Sequence, residues 1–170
     1  KEMMGGVADK ELSLTAYVLL SLAEAGKSAA GAEAPLSSAR LVAQRAASAT
    51  GGYGVSIGAY ALHASCATWG ESVTELCELA TATQAVLDKL RVDGTHWEAG
   101  AGTGDSTSVD SPRLGLRPAV PEIEPIALFE PPRTKSSDVE TTAYALLSVS
   151  ADPSLADLVA SGMGVVRWLT

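Results

Sequence analysis

Helices that are apolar on nearly every face alternate along this chain with helices that are amphipathic. The hydrophobic pattern predicts a first helix from about Leu12 to Ala25, which Asp9 caps and Gly26 ends. A third helix, from about Val55 to Ala67, again carries few polar residues. Such a helix must be buried between neighbours, because it has no polar face to turn towards water.

The second, fourth and last helices each carry a single apolar stripe. The second opens with Pro35 at its first position, and the fourth begins with a capping-box pattern from Ser72 to Glu75. The stripe of the fourth helix comprises Leu76, Leu79, Thr83, Val86, Leu87 and Leu90. Asp138 is predicted to cap the fifth helix, and Asp152 with Pro153 to begin the last.

The alternation of buried and amphipathic helices predicts an all-α fold with an inner and an outer layer. Such layers occur as an open solenoid or as a closed α/α toroid. The many alanines allow close helix approach in either case, so the pattern does not distinguish the open form from the closed one.

One short motif occurs three times, in three of the predicted buried helices. The copies are Leu14–Leu22, Ile57–Ser65 and Thr141–Val149, and their tyrosines Tyr17, Tyr60 and Tyr144 lie 43 and then 84 residues apart. Repeats of this length indicate stacked helical units that bury their apolar faces against one another. We therefore expect the three tyrosines to belong to the repeated core, with their hydroxyls satisfied near the layer boundary.

Residues 92–137 break the pattern and are predicted to form one long Pro/Gly-rich loop. Six of the eight prolines lie here, and no helical periodicity is present. Aromatic residues in two islands, 95–98 and 127–132, are expected to pin this loop to the helices.

Composition excludes some functions. With 20 acidic and 12 basic side chains, the net charge is −8, which argues against binding to nucleic acid or to anionic lipid. No apolar run approaches the roughly 18 residues of a membrane-spanning helix. The sequence therefore predicts a protein that neither binds nucleic acid nor inserts into a membrane.

No residue set indicates catalysis. His63 and His96 are the only histidines, and a packed or hydrogen-bonded role is favoured for both. Asp105 and Asp110 lie in a Ser/Thr/Gly-rich stretch that is typical of solvated turns. There is no Gly-x-Ser-x-Gly motif and no zinc-type Cys or His spacing, so we predict no enzyme, no metal and no cofactor.

Several ordered blocks resemble the thioester-containing domain of the alpha-2-macroglobulin and complement family. They are Leu12–Tyr17, Asp138–Ser148 and Val165–Leu169, and the resemblance spans essentially the whole chain. It implies an α/α toroid, of which residues 1–170 would form part, in a large secreted protein. The other domains of that protein would be partners, together with proteases or target surfaces.

The reactive elements of that family are absent from this chain. Its thioester joins Cys to Gln within Gly-Cys-Gly-Glu-Gln, a string that does not occur here. We therefore expect an internal part of the domain, without thioester residues of its own.

Three functions remain open from the sequence. The blocks His96–Glu98, Phe129–Pro131 and Asp138–Glu140 look like macroglobulins, which implies a protease inhibitor that traps its target. Glu2–Val7 looks like complement component three, and the Pro-rich insertion is similar to complement component four; both imply an opsonin that attaches to surfaces and binds receptors. A helical-repeat scaffold that binds peptides is the third alternative. The macroglobulin interpretation is the preferred one.

Cys66 and Cys77 are the two cysteines, on neighbouring predicted helices. A helical hairpin could bring them within the Cα distance of about 7 Å that a disulfide requires. An extracellular location would favour the bond, whereas two small buried thiols are the alternative.

Overall fold

The computed structural model describes residues 10–28, 31, 33–100, 136–151, 165 and 168. These residues form helices and one short β-hairpin, which confirms the predicted all-α class. The elements, in chain order, are α1 (Lys10–Ala25), α2 (Glu33–Ser48), α3 (Gly52–Trp69), α4 (Glu75–Lys89), β1 (Arg91–Val92), β2 (His96–Trp97) and α5 (Ser136–Ala151).

Helix α3 is the centre of the described fold, and it packs against all four other helices. It is buried along most of its length, as expected of a sequence without a polar face. Helices α1 and α5 flank α3, and these three carry the repeated motif. Helices α2 and α4 contact each other and α3, so the described helices form the two predicted layers. Closure into a toroid stays a prediction.

Helices α1 and α3 lie parallel. Near their N-terminal ends, the Leu12 side chain reaches to 2.9 Å from the position that a Cβ on Gly54 would occupy. Near their C-terminal ends, the Thr68 hydroxyl lies 3.4 Å from the Ala23 carbonyl oxygen. The offset between partners is close to the repeat period, so the sequence repeat is also a spatial repeat.

Two ion pairs connect α2 to its neighbours. The Arg40 guanidinium donates to both carboxylate oxygens of Glu75 on α4, at 2.6 and 2.7 Å, and these hydrogen bonds hold the pKa of Glu75 below its ordinary value. Arg45 pairs with Glu11 on α1. All four side chains are well exposed to solvent, so these pairs specify orientation more than they add stability.

Several predicted helix ends differ from the structure. Helix α2 begins at Glu33, so Pro35 is its third residue, and α3 extends beyond the predicted range at both ends, to Gly52 and Trp69. The prediction that Ser72 caps α4 is wrong, because α4 begins at Glu75 after a turn in which the Ser72 and Val73 N–H groups both donate to the Trp69 carbonyl. The predicted stop at Gly26 is confirmed by its φ of 77° directly after α1.

The prediction of one long loop over 92–137 is wrong at both ends. Strands β1 and β2 pair antiparallel, with Arg91 opposite Trp97, and the turn between them places Asp93 and Gly94 at positive φ. Asp-Gly is a preferred pair where both central residues of a hairpin turn have positive φ, so this pair was the feature of the sequence that indicated a hairpin. At the other end, α5 begins at Ser136, so Asp138 lies inside the helix and does not cap it from outside.

The predicted cap Asp9, residues 101–135 of the loop, and the last helix apart from Val165 and Trp168 lie outside the described residues. Val165 is buried among the core residues.

Candidate functional site

A cluster of three tyrosines and one glutamate joins all three inner-layer helices. The Tyr17 hydroxyl on α1 lies 3.2 Å from that of Tyr53 on α3 and 3.1 Å from that of Tyr144 on α5. Tyr53 donates to Glu140 Oε1 at 2.9 Å. The Tyr144 ring meets the rings of Tyr17 and Tyr53 edge to face, with centroids 6.3 and 6.4 Å apart.

The hydrogen bonds of this tyrosine cluster run in one direction. A phenol has a single O–H group to donate, and Tyr53 donates it in a hydrogen bond to Glu140 Oε1. The contact between Tyr53 and Tyr17 therefore requires Tyr17 to donate, and Tyr17 in turn accepts from Tyr144. The hydrogen bonds run from Tyr144 to Tyr17, from Tyr17 to Tyr53 and from Tyr53 to Glu140, so the series ends on a carboxyl oxygen.

The protonation of the cluster follows from its surroundings. Burial, and then the hydrogen bonds with Tyr17 and Glu140, raise the pKa of Tyr53 well above its ordinary value. Burial and the hydrogen bond with Tyr17 do the same to the pKa of Tyr144. Both phenols are therefore neutral at physiological pH, which suits them to donate hydrogen bonds and makes them poor nucleophiles.

The structure brings together two of the three repeated tyrosines. Tyr60 is half-buried on α3 and is not one of the tyrosines in this hydrogen-bonded cluster. The tyrosine that α3 contributes to the cluster is Tyr53. Tyr17 is 37% exposed, so it lies at the surface of the inner layer and not in the core where it was expected. Sequence reasoning missed Tyr53 because the predicted α3 began at Val55. The Gly-Tyr-Gly run before Val55 was the feature of the sequence that could have drawn attention to Tyr53.

The β-hairpin is attached to the helices by Trp97. Its indole N–H donates to the Leu87 carbonyl oxygen at 2.9 Å, and its ring is buried. Its backbone N–H donates to Thr142 Oγ1 at 3.1 Å, and that hydroxyl donates to the Trp97 carbonyl at 3.2 Å. The Ala99 N–H donates to Asp138 Oδ1 at 2.8 Å, so two residues of α5 hold this segment.

Cys66, near the end of α3, and Cys77, in the first turn of α4, are bonded as a disulfide with Cα atoms 4.8 Å apart. The bond closes the turn between an inner and an outer helix. The alternative of two free buried thiols does not describe this structure.

The two histidines are placed in different surroundings. His63 is buried within α3. His96 Nδ1 lies 3.0 Å from the Thr95 hydroxyl, and the imidazole stacks on the indole of Trp168, with centroids 4.5 Å apart. Trp168 belongs to a block that carries the family resemblance and His96 to a block that looks like macroglobulins, so this stack brings the two blocks into contact.

In the part of the chain that the structure describes, no group of three or more His, Cys, Asp and Glu side chains is placed to hold a metal ion. Within the same residues, no helix is both long enough and apolar enough to cross a membrane.

Parallel inner helices, a covering outer layer and a cluster of neutral tyrosines define a two-layer helical-repeat domain. A family model described as the A-macroglobulin TED domain matches residues 1–170. The chain therefore belongs to the thioester-containing domains of the alpha-2-macroglobulin and complement family. Neither the comparison with curated proteins nor that with solved structures returns a match.

Proposed function

We propose that this chain is part of the thioester domain of a secreted alpha-2-macroglobulin-like protease inhibitor, and that it has a structural, non-enzymatic role there. In such a parent, protease cleavage elsewhere would expose the thioester, and a nucleophile on the protease would attack its carbonyl carbon. The acyl group would pass to the protease and the cysteine thiol would leave. Residues of this chain would support that site without supplying its reactive atoms.

The observation that carries this proposal is the attachment of His96–Glu98 to α5. Two of the blocks that resemble macroglobulins, His96–Glu98 and Asp138–Glu140, lie next to each other, because each is bonded to the other block's segment of the chain. They are joined through the hydrogen bonds of Thr142 with Trp97 and through the bond from the Ala99 N–H to Asp138. The residues that resemble macroglobulins therefore lie where the hairpin contacts α5, at hydrogen bonds that are buried from solvent. A chance resemblance in a surface loop would not be expected to have such partners.

An extracellular location is part of the proposal. It is supported by the Cys66–Cys77 disulfide, because such bonds persist in oxidising compartments and are rare in the cytosol. Both cysteines are in the bond, so no free thiol among the described residues competes with thioester chemistry.

Sequencing the parent transcript and assaying the parent protein test this function together. We expect Gly-Cys-Gly-Glu-Gln upstream of Lys1 and, after mixing with an endoprotease, a covalent complex that survives denaturation. Small amines should release one thiol per thioester and abolish this complex. Attachment to hydroxyl-rich surfaces without capture of the protease would favour the opsonin instead. Absence of the motif from the parent would overturn covalent capture altogether.

A further inference from the structure

The hydrogen bonds of the tyrosine cluster all lead to one acceptor, Glu140. Tyr53 donates to Glu140 Oε1 at 2.9 Å, Tyr17 donates to Tyr53 at 3.2 Å, and Tyr144 donates to Tyr17 at 3.1 Å. Each phenol has one O–H to donate, whereas a carboxylate only accepts. A proton that leaves any of the three phenols along these bonds therefore ends on Glu140.

Contacts between described residues define the pair of Tyr53 and Glu140. Tyr53 is only 4% exposed, in the first turn of α3, and Glu140 is partly buried on α5. None of the ion pairs that the described residues form includes Glu140, so among them no cation competes with Tyr53 for its oxygens. Tyr60, the other tyrosine of α3, is not in the cluster.

A phenol with a carboxylate already bonded to its hydroxyl is prepared for one-electron oxidation. Loss of an electron makes a phenol strongly acidic, so the O–H proton has to leave as the electron does. Water is a poor base for this step, whereas Glu140 Oε1 takes the proton along an existing hydrogen bond with no movement of heavy atoms. A positioned general base of this kind accelerates a reaction by about 10²–10⁴-fold.

We propose that Tyr53 and Glu140 form a one-electron redox site, at which the chain reduces a diffusible oxidant of the peroxyl-radical class. One electron leaves the Tyr53 phenol for the oxidant. The O–H bond of Tyr53 breaks, and its proton forms a new O–H bond at Glu140 Oε1. The products are a neutral Tyr53 phenoxyl radical, a protonated Glu140 and the oxidant reduced by one electron. This inference does not depend on a thioester or on protease capture.

The rest of the cluster supports this step. After the transfer, the Tyr53 phenoxyl oxygen accepts two hydrogen bonds, one from the protonated Glu140 and one from Tyr17, and both stabilise the radical. Loss of an electron from Tyr17 has the same outcome for the proton, because the Tyr17 proton moves to Tyr53 while the Tyr53 proton moves to Glu140. Burial of Tyr53 also keeps the radical from coupling with that of a second chain.

Oxidation by hexachloroiridate(IV), which accepts one electron and forms hexachloroiridate(III), tests the proposal. In stopped flow at neutral pH, the unaltered chain should consume the oxidant in a fast phase, and rapid freezing should trap a tyrosyl radical visible by electron paramagnetic resonance. Glu140→Gln keeps an oxygen that accepts the Tyr53 hydrogen bond but is not a base, so it should slow the fast phase by about 100-fold. Tyr53→Phe should abolish the fast phase.

Tyr60→Phe is the matched control, because it removes a phenol of the same helix outside the cluster and should leave the fast phase unchanged. All variants should keep the same helical circular dichroism. A fast phase that persists in Glu140→Gln or in Tyr53→Phe would overturn the proposal. The unaltered chain supplies a test without any substitution, since the fast phase should be slower in D2O than in H2O. Equal rates in the two solvents would overturn proton transfer to Glu140 as part of the oxidation.

Discussion

The Tyr53 hydroxyl donates its one hydrogen bond to Glu140 Oε1, with the two oxygens 2.9 Å apart, and this bond sets the direction of all hydrogen bonds in the tyrosine cluster. Tyr53 lies in the first turn of α3 and Glu140 near the start of α5, so the bond links two inner helices that are 87 residues apart in sequence. Tyr17 extends the link to α1.

Tyr17→Phe should destabilise the fold because the Tyr17 hydroxyl is hydrogen-bonded to two other tyrosines of the cluster. The change leaves the Tyr53 oxygen without its donor and the Tyr144 proton without its acceptor. Since the Tyr17–Tyr144 contact is exposed and the Tyr17–Tyr53 contact is partly buried, we expect a loss of about 1–2 kcal/mol in the free energy of unfolding, measured by urea denaturation. Tyr60→Phe removes a hydroxyl that is not part of the tyrosine cluster and should lower the free energy of unfolding by less than about 0.5 kcal/mol. Equal effects of the two changes would contradict the role of the cluster.

Stability should fall in alkaline solution because the pKa of Tyr53 and that of Tyr144 are raised in the folded state. Below pH about 10, both phenols are protonated in the folded and unfolded chains, and their contribution to stability is fully present. Above that pH the unfolded chain loses protons that the folded chain keeps, so the free energy of unfolding decreases with rising pH.

Phenolate absorbance measures this difference directly. At pH about 11, the folded chain should keep Tyr53 and Tyr144 protonated, whereas the urea-unfolded chain has lost most of the protons of these two phenols. Equal phenolate absorbance of the folded and unfolded chains would show that the two phenols are not held neutral by the fold.

Much of the fold follows from local pattern, and much of the site does not. The apolar repeat predicted the burial of α3, which has no polar face, but the same prediction is wrong for one side of α1, where Leu14 and Val18 are exposed. The partners of Tyr17 could not be predicted, since they depend on the parallel packing of three helices across 127 residues of sequence. The repeat itself pointed to Tyr60, but the first turn of α3 brought Tyr53 into reach.

The hairpin illustrates a different limit. The Asp93-Gly94 pair indicates a turn in the sequence. The strands on either side of it have two residues each, which is too short for an alternating apolar pattern to be visible. What fixes them is tertiary, namely the Thr142 hydroxyl and the Leu87 carbonyl that bind Trp97.

Thr142→Val should detach the hairpin from α5. Valine has nearly the same shape but leaves the Trp97 N–H and C=O unpaired in a buried site. We expect a loss of about 2–3 kcal/mol in the free energy of unfolding, together with a change in tryptophan fluorescence. Thr81→Val is the control, because the Thr81 hydroxyl is exposed and bonds only to the carbonyl of its own helix. If both variants melt alike, the hydrogen bonds to Trp97 do not secure the hairpin.

Replacing Cys66 and Cys77 together by alanine should lower stability through the unfolded state. The bond closes a short loop, with a sequence separation of 11, and the chain-entropy relation gives a loss of about 2.5–3 kcal/mol in the free energy of unfolding. Guanidinium denaturation should find this loss for the double variant and a similar one for the unaltered chain under reducing conditions. The double variant itself should be insensitive to reductant, which is the control for other effects of the reagent. A melting curve of the unaltered chain that does not respond to reduction would mean that the turn from α3 to α4 is held by packing alone.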